Sequence, residues 1–308
     1  MKVPMQVACR QCGSSNVISC GVITEADRFC GLRLQPAWEG GTLYKCNDCY
    51  LAFRFPVHPA DEYLKLYESA PESTYENSEL RYDQLLVRQA ILENNIAGGA
   101  ILDIGCFNGA LLNTLGAEFE KFGIEASEAA CRICRDQGID IVADSAEQLG
   151  SIDRKFDVIC LVDVLEHVVN PFELVKIAIS RLRVGGRLII STGDASNFLW
   201  RLFGGKYWYC SFPEHISFIS PEWVSNATRF TPAQLVRLTK FPHKNPNIGQ
   251  SEAWIRFVGR FIKAIGENVF LTFANSSTRS PRCKLGFPGV VNDHMLVVLC
   301  RNEESSSG

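Results

Sequence analysis

No run of apolar residues in this sequence approaches the ~18 that a membrane-spanning helix requires, so none is expected. The opening MKVPMQVACRQCG lacks the long apolar stretch of a signal peptide. An excess of positive charge is also missing. There are 31 basic and 34 acidic residues, a formal charge of −3, which weighs against a dedicated nucleic-acid binder. Internal repeats and long low-complexity tracts are absent. These absences favour a cytoplasmic protein, with no membrane span and with nucleic acid disfavoured. They also bear on the 13 cysteines. The number is odd and no export signal precedes them, so a disulfide scaffold is disfavoured and metal ligands or buried thiols are expected.

Two of the cysteine pairs have a metal spacing. Cys9-x2-Cys12 and Cys46-x2-Cys49 each make a knuckle that can present two thiolates to one ion. Two knuckles complete a tetrahedral four-cysteine site suited to zinc. Protein ligands fill all four positions, so the predicted zinc is structural. The zinc ribbon is expected over 1–58.

A helical linker or lid is expected over 59–98, on Tyr63, Leu64 and Tyr67, then Leu85, Leu86, Ile91 and Leu92. From Gly98 on, apolar runs alternate with helical stretches. AILDIG (100–105), KFGIEA (121–126), IDIVAD (139–144), FDVICLVD (156–163) and RLIIST (187–192) read as strands. ALLNTLGA (110–117), EAACRICRDQG (128–138) and PFELVKIAISRLR (171–183) read as helices. This alternation predicts an α/β fold, a mostly parallel sheet covered by helices on both faces. PEWVSNATRF (221–230) reads as a short helix, AQLVRLTKF (233–241) as a sixth strand and HMLVVLC (294–300) as the last. An apolar stripe at helical spacing over 251–270 reads as a helix packed on the core, or else as a lid or homodimer helix. A disordered tail is expected over 303–308.

LDIGCFNGALL (102–112) joins a buried strand to a helix through Gly105 and Gly109, letting a ligand approach the backbone closely. The helix start offers free N–H groups to an anion. Glu125 ends the second strand, placed to accept from ribose hydroxyls. Asp144 ends the third, placed to accept from an adenine amino group beside Ser145 and Ala146. These ends converge on the carboxyl edge, where open α/β sheets bind ligands.

The ordered series LDIGCFNG, FGIEAS, VADSAEQL, FDVICLVDVLEHVVNP and LRVGGRLIIST resembles the class I S-adenosylmethionine-dependent methyltransferases. The VLEHVVNP and PEHISFISPEWV elements resemble the branch with ubiquinone-type O-methyltransferases and sugar methyltransferases. The resemblance covers about residues 75–300 and implies a seven-stranded Rossmann-like sheet with S-adenosylmethionine as cofactor. It implies that Asp103, Gly105, Cys106, Phe107 and Gly109 shape the methionine end of the pocket. Glu125 and Ala126 would hold the ribose, and Asp144, Ser145 and Ala146 the adenine. Asp163 would face both cofactor and substrate. Tyr75 and Arg81 would close over the cofactor's carboxylate. Phe107 stands where this family often has glycine. The methyltransferase domain is expected over 99–302, with a helical insertion near its end.

Methyl transfer needs an in-line nucleophile and often a base. Of the five histidines, His215, in YWYCSFPEHISF, is the predicted general base, with Glu214 beside it. Relatives that bind a divalent ion make Asp163, Glu166 and His167 a candidate magnesium site. A sugar, glycan or nucleotide-sugar acceptor is expected, methylated at oxygen or carbon. The alternatives are an aromatic or peptide natural product, or a zinc-ribbon binding module carrying a silent methyltransferase fold.

Overall fold

The computed structural model describes residues 7–29, 32–69, 79–93, 98–243 and 291–303. Tyr75, the apolar stripe over 251–270 and the tail from 304 on lie outside the described residues. The strands are β1 (Val17–Val22), β2 (Ala26–Phe29), β3 (Leu32–Trp38), β4 (Thr42–Cys46), β5 (Ala52–Phe55), β6 (Gly99–Ile104), β7 (Phe119–Ile124), β8 (Asp140–Ala143), β9 (Phe156–Val162), β10 (Leu182–Gly193), β11 (Ser217–Phe218), β12 (Ala233–Phe241) and β13 (His294–Arg301). The helices are α1 (Ala60–Glu68), α2 (Tyr82–Glu93), α3 (Ala110–Asn113), α4 (Glu128–Asp136), α5 (Pro171–Arg181), α6 (Phe198–Phe203) and α7 (Pro221–Thr228).

The expected seven-stranded sheet is present, in the order β12-β13-β10-β9-β6-β7-β8. β6 pairs in parallel with β7 and β9, and β9 with β10. β13 runs antiparallel between β10 and β12. Successive side chains of a strand point to opposite faces, and here both faces are apolar. Leu102, Ile104, Leu161, Leu188 and Ile190 face Leu174, Val175, Ala178 and Ile179 of α5 and Trp223, Val224 and Ala227 of α7. Ile101, Val158, Cys160 and Ile189 face Val87, Ala90 and Ile91 of α2 and Leu111 and Leu112 of α3. Burial on both faces explains why these strands read as continuous apolar runs.

Local chemistry sets the helix starts. The Ser127 side chain accepts from the Ala130 N–H, Asn170 from Glu173 and Ser220 from Trp223. Pro171 and Pro221 follow the latter two caps, where a missing N–H costs nothing. Two of the boundaries that differ from the sequence reading have a visible cause. α3 ends at Asn113 rather than continuing to 117, because the next turn tightens onto Leu111 and Leu112 through the Thr114 and Leu115 N–H groups. α5 stops at Arg181 because Leu182 already pairs with Phe156; the Gly185-Gly186 turn then sits as an irregularity inside β10.

The N-terminal segment forms an antiparallel sheet, β1-β4-β5-β11. Its fourth strand, β11, comes from beyond β10, with Ser217 opposite Phe53 and Phe218 opposite Ala52. Among the described residues, much of the segment's buried apolar surface is shared with the larger part. Leu51 and Phe53 continue the α5/α7 side of the large core, and Ile23 and Leu43 pack with Leu199, Trp200 and Tyr207. This shared burial supplies what so few apolar residues could not supply alone.

Candidate active site

The turn after β6 is built from left-handed backbone. Gly105 has φ +70°, Phe107 +53° and Gly109 +74°. The left-handed backbone favours glycine at Gly109, and a Cβ there would lie 2.3 Å from Ile139 Cδ1, which would have to move. Gly105 and Cys106 both donate N–H to the Ile124 carbonyl, at 2.8 and 3.1 Å, which ties the turn to the end of β7. Phe107, in the position where glycine was expected, adopts the conformation that glycine would. Its N–H donates to Glu125 Oε2 at 2.9 Å, which helps hold that strained residue.

Glu125 therefore braces the turn. Its Oε1 accepts from the Ser127 N–H at 2.9 Å, and each oxygen keeps a further lone pair for a ligand. Burial pushes its carboxyl upward in pKa against those backbone donors. Ala126 beside it is half-buried. Asp103, near the end of β6, is buried, and its Oδ1 has no hydrogen-bond partner among the described residues. Desolvation raises its carboxyl to about 7. Cys106 Sγ lies 3.8 Å from Cys134 Sγ. Asp144 is exposed after β8, accepting from Gln148 Nε2 at 2.6 Å. Ser145 caps the short 3₁₀ turn that begins at Ala146.

Asp163 follows β9 with φ +52°. It accepts from Arg81 at 2.8 Å, and the same guanidinium holds Asp83. Arg81 is thus tied by two carboxylates at the mouth of the site, on the residues just ahead of α2. Burial raises the Asp163 carboxyl.

Glu214 and His215 are both buried. Glu214 Oε2 has no hydrogen-bond partner among the described residues, and burial raises its pKa. His215 Nδ1 lies 2.9 Å from the Tyr209 carbonyl, which makes Nδ1 the protonated nitrogen of the neutral ring and Nε2 the free base. Burial and then the nearby His167 lower its pKa well below the ordinary histidine value. Tyr209 lies against His215, ring centroids 4.2 Å apart.

Of the three candidate magnesium residues, Glu166 and His167 come together, but with His215 rather than Asp163; their ligand atoms lie within 4.8 Å of one another. Glu166 already accepts from Thr192 at 3.0 Å and from the Tyr209 hydroxyl. Two imidazoles and a single carboxylate do not fit magnesium, which demands oxygen ligands in octahedral array.

The four cysteine thiols also converge, all within 4.8 Å of one another. The two knuckles match: four residues after each first cysteine, Gly13 and Tyr50 adopt φ +73° and +65°. Tyrosine in that conformation costs roughly 1–2 kcal/mol, which metal ligation would offset. The knuckles touch the methyltransferase-like part directly. Gln11 accepts from Trp223 Nε1 at 2.9 Å, and Arg10 reaches Ser217 Oγ at 2.7 Å.

Sequence reasoning missed two groups. Arg54, buried in β5, donates to the carbonyls of Gly40, Cys210, Phe212 and His215. No spacing marks such a residue; only a basic residue between Phe53 and Phe55 hinted at it. Asp293 and His294, at the start of β13, form a buried pair. Their adjacency was visible, but their place at the carboxyl edge follows from the antiparallel direction of β13.

The methyltransferase-domain family matches residues 76–228. An uncharacterized protein of Methanocaldococcus jannaschii is 28% identical over 133 residues, 43% of this chain and 63% of that one. A ubiquinone biosynthesis O-methyltransferase of Azoarcus sp. is 30% identical over 160 residues, 47% of this chain and 68% of the relative. This chain belongs to the methyltransferase-domain family. It spans 63% of the length of the Methanocaldococcus protein and of a similar Aromatoleum aromaticum ubiquinone biosynthesis O-methyltransferase. Among solved structures, a Haloferax volcanii complex of a methyltransferase activator with a methyltransferase shares the fold, with TM-score 0.50 and 11% identity over 80% of this chain and 100% of that one.

Proposed function

We propose that this methyltransferase-family chain transfers a methyl group from S-adenosylmethionine to a small acceptor, a sugar or nucleotide sugar at oxygen or carbon. The observation that carries the reading is the orphaned, buried Asp103 Oδ1 beside a left-handed turn braced by Glu125. A buried carboxylate without a partner calls for a cationic or donating ligand. The ammonium of a bound amino acid fits that need, and the ribose hydroxyls fit the spare lone pairs of Glu125. Asp144, Ser145 and Ala146 stand where the adenine would lie, with Gly105, Cys106, Phe107 and Gly109 around the methionine end.

The cofactor supplies an electrophilic methyl group on a sulfonium. The chain's own residues orient the acceptor and remove its proton. Trp208, Tyr209 and Phe212 give an aromatic wall, and His215 Nε2 and Glu214 Oε2 offer that loop's sites for the acceptor hydroxyl or its proton. A phenolic acceptor is the second reading, favoured by that wall and by the names of the curated relatives. The zinc proposed at Cys9, Cys12, Cys46 and Cys49 is structural, because four thiolates close its coordination sphere. Calorimetry tests the proposal: S-adenosylmethionine is expected to bind at micromolar concentration, and no heat at about 1 mM, the upper end of usual substrate affinities, overturns it.

A further inference from the structure

Beyond His215, a second set of basic groups lies at the carboxyl edge. β13 runs antiparallel, so its first residue, His294, stands opposite Gly193 at the end of β10 and Phe241 at the end of β12. Asp293 Oδ1 lies 3.0 Å from His294 Nδ1, and His294 Nε2 lies 3.3 Å from His243 Nδ1. Asp293 and His294 are buried, whereas solvent reaches His243. Asp293 is also fixed by the Tyr207 hydroxyl at 2.8 Å, Trp208 Nε1 at 3.3 Å and the His243 N–H at 3.1 Å. The Tyr209 ring lies between the two histidine sites, 5.3 Å from His294 and 4.2 Å from His215.

We propose that Asp293, His294 and His243 form a proton relay for the acceptor, in which His243 takes the proton and His294 holds the charge. The proposal rests on the methyl-transfer reading above. The carboxylate of Asp293 fixes the His294 tautomer: Nδ1 carries hydrogen, so Nε2 of the neutral ring accepts from His243 Nδ1–H. That leaves His243 Nε2 with a bare lone pair. When the acceptor attacks the methyl carbon, the O–C bond forms and the C–S bond breaks, its electron pair staying on sulfur. The acceptor's proton passes to His243 Nε2. The His243 Nδ1 proton passes to His294 Nε2, and the imidazolium rests against Asp293.

Electrostatics agree with that direction. Burial alone would lower His294, but the hydrogen bond and charge of Asp293 hold it above the ordinary value, with Asp163 and Glu166 adding to the effect. Partial desolvation and then the His294 charge push His243 down to about 4. Asp83 and Arg81 face the same pair with opposite signs. A proton entering at His243 therefore runs to His294.

The test begins with imidazole ¹⁵N NMR on the full chain, with and without S-adenosylmethionine. His294 is expected as the Nδ1–H tautomer in its neutral form, titrating above His243, and Asp293→Asn is expected to lower the His294 pKa at least tenfold in acidity. An Nε2–H tautomer, or no change in Asp293→Asn, overturns the relay. His243→Gln, at an accessible position, then serves as a second variant. On a panel of sugar and phenol acceptors its kcat is expected to fall about a hundredfold or more, with cofactor affinity unchanged; an unaltered kcat overturns the proposal. Failure of the wild-type chain to bind cofactor refutes the methyl-transfer reading instead, and the NMR titration separates the two.

Discussion

Arg54 Nε donates to the main-chain carbonyl of His215 at 3.1 Å, across 161 residues of sequence. Its Nη1 and Nη2 atoms reach Gly40, Cys210 and Phe212 at 3.0, 2.6 and 2.7 Å. One side chain of the N-terminal sheet thus holds both ends of the loop that carries Glu214 and His215. Replacing Arg54 with Met would leave buried carbonyls without donors, at about 1–3 kcal/mol each. A stability loss of at least ~3 kcal/mol is expected in urea unfolding, and Arg54→Lys is expected to recover only part of it. A loss below ~1 kcal/mol would show that the loop does not depend on this contact.

The same connection makes metal loss readable at a distance. β4 ends on Cys46 and pairs with β5, and β5 pairs with β11. Purified protein is expected to carry about one zinc per chain, as a four-thiolate site requires. Chelation, or Cys46→Ser, is expected to raise amide exchange at Ser217 and Phe218 as well as in the knuckles. Exchange confined to the knuckles would mean that the sheet holds without its metal. Metal analysis that finds no zinc would refute the site outright.

Much of this was legible in the sequence, for identifiable reasons. Two-sided burial gave the parallel strands their unbroken apolar runs, and the cysteine spacing reported its own geometry. Gly105 and Gly109 announced the turn because glycine takes their left-handed backbone most readily. What could not be read depends on contacts between distant segments. Nothing near Ser217 signals that it completes a sheet begun at Val17. Nothing near Arg81 signals that Asp83 and Asp163 share it. The place of His294 depends on strand direction, which periodicity does not encode.

Asp103 gives a pH prediction with a definite sign. Its folded carboxyl is raised to about 7 by burial, above the ordinary value of 3.8. The folded state therefore holds a proton that the unfolded chain releases between those values. Stability from this group is fully present below about pH 4 and is lost as pH rises to about 7. Asp103→Asn is expected to remove that trend, so its stability relative to wild type rises across the window and then levels off. If the vacant Oδ1 receives the cofactor's ammonium, S-adenosylmethionine should bind more tightly as pH rises through about 7 in wild type but not in Asp103→Asn. Calorimetry at pH 5.5, 7 and 8.5 or so checks both trends. A pH-independent affinity in wild type would remove Asp103 from the cofactor contact.

The loop carrying Glu214 and His215 offers two bases of different strength. Burial raises the Glu214 carboxyl and lowers the His215 imidazole, so their proton affinities move in opposite directions. If the relay through His243 removes the acceptor proton, His215→Gln should reduce kcat by less than about tenfold while raising the acceptor KM. If His215 is itself the base, kcat should fall by ~10²–10⁴ with KM little changed. Glu214→Gln separates a further case, since its unpartnered Oε2 is free to hold an acceptor hydroxyl. Loss of acceptor affinity in that variant at unchanged cofactor affinity would assign it to positioning. The split between kcat and KM, measured for both variants and for His243→Gln on one acceptor, decides which group receives the proton.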